Sequence, residues 1–111
     1  MPYDEDLAHR IRALIGTELG VTEKKMFGGL AFLVEGHMAI AASGQGGILV
    51  RVGPGRSDQL VATTKAAVAV MRGRPMPGWL RVRSEDVRTK PQLAKWFNLG
   101  VGFARSLPAK G

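Results

Sequence analysis

The feature that most constrains the fold is a two-residue alternation of apolar side chains between residues 30 and 52. It indicates β-strands, because successive side chains of a strand point to opposite faces of a sheet. Glycine-containing segments at residues 35–36 and 43–47 interrupt the alternation and suit tight turns. We therefore predict three strands joined as an antiparallel meander. The side chains expected on the core face are Leu30, Phe32, Val34, Met38, Ile40, Ala42, Ile48, Val50 and Val52.

Gly28 and Gly29 stand at the head of this alternation, in the stretch MFGGLAFLVEGHMAI, residues 26–40. A phosphate-binding glycine loop needs a helix N-terminus after it, because helix amides and the helix dipole hold the anion. Here a strand follows the glycines, and the chain has neither a GxGxxG nor a P-loop motif. We therefore predict that this glycine pair forms a bulge or a close backbone approach and holds no phosphate.

The remaining segments predict three helices and two further strands. The first predicted helix is residues 4–18, with Asp4 as N-cap and Gly16 or Gly20 at its end. The second is residues 57–64, which Ser57 caps and which buries Leu60 and Val61. The last begins with a capping box at Thr89 and Gln92 and ends at Pro108. The predicted strands are residues 66–71, whose composition also suits a helix, and residues 79–83. Two prolines and two glycines predict a loop over residues 72–79. The expected fold class is α+β: a two-layer, five-stranded antiparallel sheet with helices packed on one face, in the order helix, three strands, helix, two strands, helix.

Composition excludes several classes of chemistry. The chain has no cysteine, so disulfides, thiolate metal sites and a cysteine nucleophile are absent. Its two histidines lack HExxH spacing, no serine lies in a GxSxG elbow, and His37 beside a turn is expected to be a solvated edge residue. No apolar run approaches the roughly 18 residues of a membrane span. We expect a single domain over residues 1–111 that is cytoplasmic and non-enzymatic, with no metal, cofactor or membrane contact.

The charge distribution suggests a surface for anions. The formal net charge is +7, and it divides into −2 for residues 1–35 and +9 for residues 36–111. Arginines in predicted strands could share a face with one indole and bind phosphate or stack a base. The members of this candidate nucleic-acid or anion site are Arg51, Arg74, Trp79, Arg81 and Arg83. The alternative is that the indole packs and the arginines are only solvated, since a basic charge reports association tendency alone.

A second candidate surface is the sheet face away from the core. Its predicted side chains are unusually apolar for a solvated face: Ala31, Leu33, Ala39, Ala41 and Leu49. Apolar patches of this kind often mark protein interfaces. A second copy of the chain, a regulatory partner protein or an additional helix could cover it.

Three motifs in fixed order, MFGG, VRVGP and GRPMPGW, resemble the N-terminal domain family of TfoX/Sxy proteins, and the similarity extends over nearly the whole chain. The resemblance implies a small α+β domain with a five-stranded sheet, and a link to competence regulators that act on gene expression. It brings no catalytic residue and no cofactor. The motif residues, which we expect to be structural, are Met26, Phe27, Gly28, Gly29, Gly53, Pro54, Gly73, Pro75, Met76 and Gly78.

Overall fold

A computed structural model describes residues 3–16, 20–26 and 28–108. Within these ranges the α-helices are α1 (Glu5–Ile15), α2 (Pro54–Thr63) and α3 (Lys90–Ser106), and a 3-10 turn spans Ser84–Val87. The strands are β1 (Val21–Met26), β2 (Gly29–Val34), β3 (His37–Ala42), β4 (Ile48–Arg51), β5 (Ala67–Met71) and β6 (Arg74–Val82). All six form one antiparallel sheet in the order β1-β2-β3-β4-β6-β5. The predicted α+β class is confirmed, whereas the predicted count of five strands is wrong.

The additional strand is β1, which pairs with β2 and forms one edge of the sheet that the described residues build. Its central residues, Thr22 to Lys25, are exposed and mostly charged. Charged edge strands protect a sheet from pairing with other chains. They lack the apolar alternation from which strands are predicted in a sequence. The apolar alternation that predicts the strands begins at residue 30, so it does not indicate a strand over Val21–Met26.

The paired glycines lie where β1 turns into β2, and Met26 is the register partner of Gly29. A Cβ atom built on Gly29 would lie 2.0 Å from the carbonyl oxygen of Ala42, so only glycine allows β2 this close to the end of β3. Gly28 has a φ of +74° in the turn itself. The predicted close backbone approach is confirmed, and Phe27 of the same motif lies outside the described residues.

The predicted tight turn at Glu35 and Gly36 is confirmed, with φ of +51° and +87° and with Val34 paired to His37. The expected alternation in β3 is wrong at one point. A bulge shifts the register between Phe32 and Leu33, so Met38 points to the face away from the helices and Ala39 points towards α3. One inserted residue reverses every side chain on one side of a bulge.

The predicted strand at residues 66–71 is confirmed as β5, but the predicted loop over residues 72–79 is wrong. The chain turns at Arg72 and Gly73, both with positive φ, and continues as β6. Pro75 and Pro77 are tolerated because they precede Trp79, where pairing with β4 begins. Among the described strands, β5 alone pairs with that part of β6, and prolines are found in strands that lack a neighbour on one side.

The helix caps follow the sequence at α1 and α3. The Asp4 carboxylate accepts from the Leu7 amide at 3.2 Å, and Gly16 is the C-cap. Thr89 and Gln92 form the expected capping box. Residues 17–18 of the predicted first helix lie outside the described residues.

The start of α2 differs from the prediction. Gly53 is the N-cap and Pro54 opens the helix, which is the position where a proline's missing N–H costs nothing. Ser57 is therefore not a cap; it is buried inside the helix, and its hydroxyl donates to the Pro54 carbonyl at 3.3 Å. Leu60 is buried as predicted, whereas Val61 is exposed.

All three helices pack on one face of the sheet, as predicted. The main core joins Leu7 and Ile11 of α1, Leu60 of α2, and Leu93, Trp96 and Phe97 of α3 to the strand side chains Leu30, Phe32, Ile40, Ala42, Ile48, Val50, Leu80 and Val82. No helix in the described part of the chain is long and apolar enough to cross a membrane.

Candidate functional site

The opposite face of the sheet carries a second apolar cluster to which, among the described residues, no helix contributes. Its buried members are Ala31, Met38, Ala41, Leu49 and Ala69, and Met26, Leu33, Met71 and Trp79 pack against them. The predicted apolar second face is confirmed, with Met38 in the position expected for Ala39. Alanines make the floor shallow, and longer methionine and leucine side chains stand around it.

The end of the β5–β6 hairpin bends over this face. The hairpin tip and the middle of the sheet line one cavity, which requires the two to face each other. A bulge between Val68 and Val70 and a φ of +88° at Gly78 allow the bend. The cavity has a volume of about 800 Å³. Its lining residues define what we call the methionine cleft: Met26, Ala41, Ala42, Ser43, Gln45, Leu49, Ala69, Val70, Met71, Arg72, Arg74, Met76 and Arg81.

Arg81 is held in place on one wall of the cleft. It faces the same side of β6 as Trp79, as predicted, because Leu80 and Val82 take the core side. Its guanidinium donates to the Ser43 hydroxyl at 3.1 Å and to the side-chain oxygen of Gln45. Both acceptors are neutral, so these contacts orient the guanidinium without cancelling its charge.

Arg72 and Arg74 are exposed beside the hairpin turn and line the same cleft. The lining includes no aspartate or glutamate. The ion pairs formed among the described residues lie elsewhere and join Arg12 to Glu23 and Arg83 to Glu85. The cleft therefore combines an apolar floor with three positive charges that have no carboxylate beside them.

The other predicted arginines lie apart from this cleft. Arg51 and Trp79 are register partners on β4 and β6. The Arg51 guanidinium carbon lies 5.2 Å from the ring centroids of both Trp79 and Phe103, so two rings already hold this cation. Arg83 follows β6 and pairs with Glu85. The predicted set of five residues is thus divided, with only Arg74 and Arg81 lining the cleft.

Sequence reasoning missed two features of this site. Arg72 was assigned to a loop, and its place beside a glycine with positive φ was the signal that could have indicated a hairpin turn. Phe103 was not singled out, because a helical aromatic gives no sign that it will meet a strand arginine.

Gly53 of the VRVGP motif and Gly78 of the GRPMPGW motif lie where two backbone segments come into close contact. A Cβ on Gly53 would lie 2.5 Å from the Phe103 ring, and one on Gly78 would lie 2.7 Å from the Pro54 nitrogen. The Gly78 carbonyl accepts from the amides of Val52 and Gly53 at 2.8 and 3.1 Å. This junction fixes the end of β4 and the start of α2 against the point where β6 bends. Of the remaining motif residues, Gly73 lies in the hairpin turn, Pro75 pairs with Val70, and Met26 and Met76 line the cleft.

His37 differs from the prediction, because it is buried and not solvated. Its Nε2 donates to the Pro108 carbonyl at 2.5 Å, which ties the β2–β3 hairpin to the end of α3. Within the described ranges its Nδ1 has no hydrogen-bond partner, and no group of three or more His, Cys, Asp or Glu side chains could hold a metal ion.

These observations define a class: a small α+β domain with helices on one sheet face and a basic, methionine-lined cleft on the other. The family model described as the TfoX N-terminal domain matches residues 15–104. The chain belongs to this family, as its three motifs indicated. No curated protein and no solved structure gives a significant match.

Proposed function

We propose that the protein is a non-enzymatic regulatory module of the competence-regulator type, whose activity depends on what occupies the methionine cleft. The proposal rests on one observation: an apolar cavity of about 800 Å³ is bordered by three arginines and lined by no carboxylate. Ligand pockets commonly have this size and combine an apolar lining with a few polar groups. Methionine walls suit binding, because the flexible, polarisable thioether adapts to different shapes.

Membership of the TfoX N-terminal domain family supports a role in regulating gene expression. In this proposal, binding of a ligand in the cleft changes how strongly the domain binds a partner protein. The nucleic-acid alternative has less support, because Arg51 is held between two rings and Arg83 is paired with Glu85. Both arrangements reduce what these arginines can offer to phosphates.

A complementation experiment tests the proposal. Ala41→Phe would place a ring in the cleft from its floor, and phenylalanine suits a strand. We expect that the wild-type gene restores the transcript levels changed by deletion, and that Ala41→Phe does not. Val61→Ser, on the exposed side of α2 and away from the cleft, is the control and should restore them. Equal restoration by Ala41→Phe, with both variants folded by circular dichroism, would refute the proposal.

A further inference from the structure

We propose that the occupant of the methionine cleft is a small amphipathic anion: a slender apolar chain that ends in a carboxylate. This inference rests on the proposed function and names the chemical class that the site selects. The alternative sources of the same chemistry are a free acid and an acidic, apolar protein segment, and the structure favours the free acid.

The shape of the cleft favours a slender apolar body. The floor is already packed by its neighbours, since Ala41 is 2% exposed and Leu49 is 5% exposed. The surface that an occupant can touch includes the partly exposed side chains of Met26, Met71 and Met76. The bent hairpin and Met26 stand over that floor from different edges of the sheet. A broad protein surface would contact the hairpin and Met26 before it entered the space between them, whereas a narrow, flexible chain can lie along the methionines.

The composition of the walls supports the same conclusion. The four methionines of the described residues all lie on this face: Met26, Met38, Met71 and Met76. Unbranched thioether side chains change rotamer at little cost, so such walls can close around a chain of variable length. Burying that chain would be driven by the removal of its apolar surface from water.

The charges define the end group. Arg72 and Arg74 flank the turn of the hairpin, and Arg81 lies near the other end of β6 beside Ser43 and Gln45, so all three positive groups border the cavity. Arginine is suited to a carboxylate, because its planar fork can donate two parallel hydrogen bonds. The lining holds no acid that would compete for these donors or attract a cationic head group.

Isothermal titration calorimetry of the whole chain tests this assignment with three probes of equal chain length: decanoate, decanol and decyltrimethylammonium. We expect decanoate to bind at least about tenfold more tightly than decanol, because charge-assisted hydrogen bonds add to the same apolar burial. The cationic probe should bind more weakly than decanol. An acidic peptide with leucine and glutamate at alternate positions should bind more weakly than decanoate.

Two charge variants locate the binding. The double variant Arg72→Asn with Arg74→Gln removes two exposed charges, and asparagine tolerates the positive φ at residue 72. It should weaken decanoate binding about tenfold and leave decanol binding unchanged. Lys25→Gln with Lys65→Gln removes the same charge outside the cleft and should change neither.

The outcomes separate the two proposals. If decanoate and decanol bind equally and Ala41→Phe abolishes both, the cleft is a binding site and the assignment of an anion is wrong. If the acidic peptide binds more tightly than decanoate, a protein segment is the occupant and the small-molecule assignment is wrong. If none of the probes binds the folded wild-type chain, the cleft is not a ligand site, and both the inference and its basis fail.

Discussion

The two glycines inside α3 offer a matched pair for testing how closely helix and sheet pack. Gly100 is buried against the sheet, and a Cβ at this position would lie 2.5 Å from the Ala39 carbonyl oxygen and 2.9 Å from a methyl group of Val50. Gly102 is exposed, and a Cβ there would meet nothing within 4 Å. We predict that alanine destabilises the protein at position 100 and stabilises it at position 102.

The magnitudes follow from two opposing effects. Replacing glycine by alanine in a helix interior contributes about 1 kcal/mol of stability. Overpacking typically costs about 1–3 kcal/mol, and the upper part applies to Gly100 because its nearest neighbour is backbone, which cannot change rotamer. The net expectation is a loss of about 1–2 kcal/mol for Gly100→Ala and a gain of about 0.5–1 kcal/mol for Gly102→Ala.

Urea denaturation and thermal melting of the two variants measure these changes. About 1 kcal/mol corresponds to about 4 °C for a chain of this length, so the two midpoints should differ by about 6–12 °C. An increase in stability for Gly100→Ala similar to that for Gly102→Ala would show that α3 does not lie this close to β3. The helix-on-sheet arrangement would then be wrong at its closest point.

Two further predictions concern the β1–β2 region. Gly29→Ala should destabilise the protein by about 2 kcal/mol or more in urea titrations, because its Cβ would meet the Ala42 carbonyl at 2.0 Å. Gly28→Asn should cost clearly less, because it meets no neighbouring atom and asparagine is the side chain that best tolerates a positive φ; equal effects would contradict the close approach. The Arg12 guanidinium donates two hydrogen bonds of 2.7 Å to the Glu23 carboxylate and thereby lowers the pKa of Glu23 below its ordinary value of 4.5. A lowered folded-state pKa stabilises the fold above the unfolded value and loses this effect as the pH falls through the folded value. Arg12→Gln should therefore be less stable than wild type at pH 7, and the difference should vanish in acid; a difference that persists at pH 2 would refute the pairing.

Local signals allowed much of the fold to be predicted. Asp4 and Thr89 cap their helices with atoms a few residues away, so the sequence alone identifies them. Strand β1 was missed because an edge strand can be charged along its length. The bulge in the β2–β3 hairpin, which exchanges Met38 and Ala39, has no local signature.

Only part of the candidate site was predictable, because local patterns assign side chains to strand faces but do not reveal how a hairpin bends. Alternation correctly placed Leu49 on the outer face and Arg81 on the same side of its strand as Trp79, because both predictions need only the strand period. The cavity depends on the hairpin bending at Gly78, and prolines in this segment indicated a loop instead. Without a strand there, the sequence could not place Arg72 and Met76 opposite Ala41.

NMR of methyl groups during titration with decanoate tests most directly whether the methionine cleft binds an amphipathic anion. The methyl signals of Met26, Met71 and Met76 should shift saturably, while those of Leu60 and Val61 on the helical side stay unchanged. Unchanged methionine signals, or shifts confined to the helical side, would contradict the assignment of the cleft as the binding site.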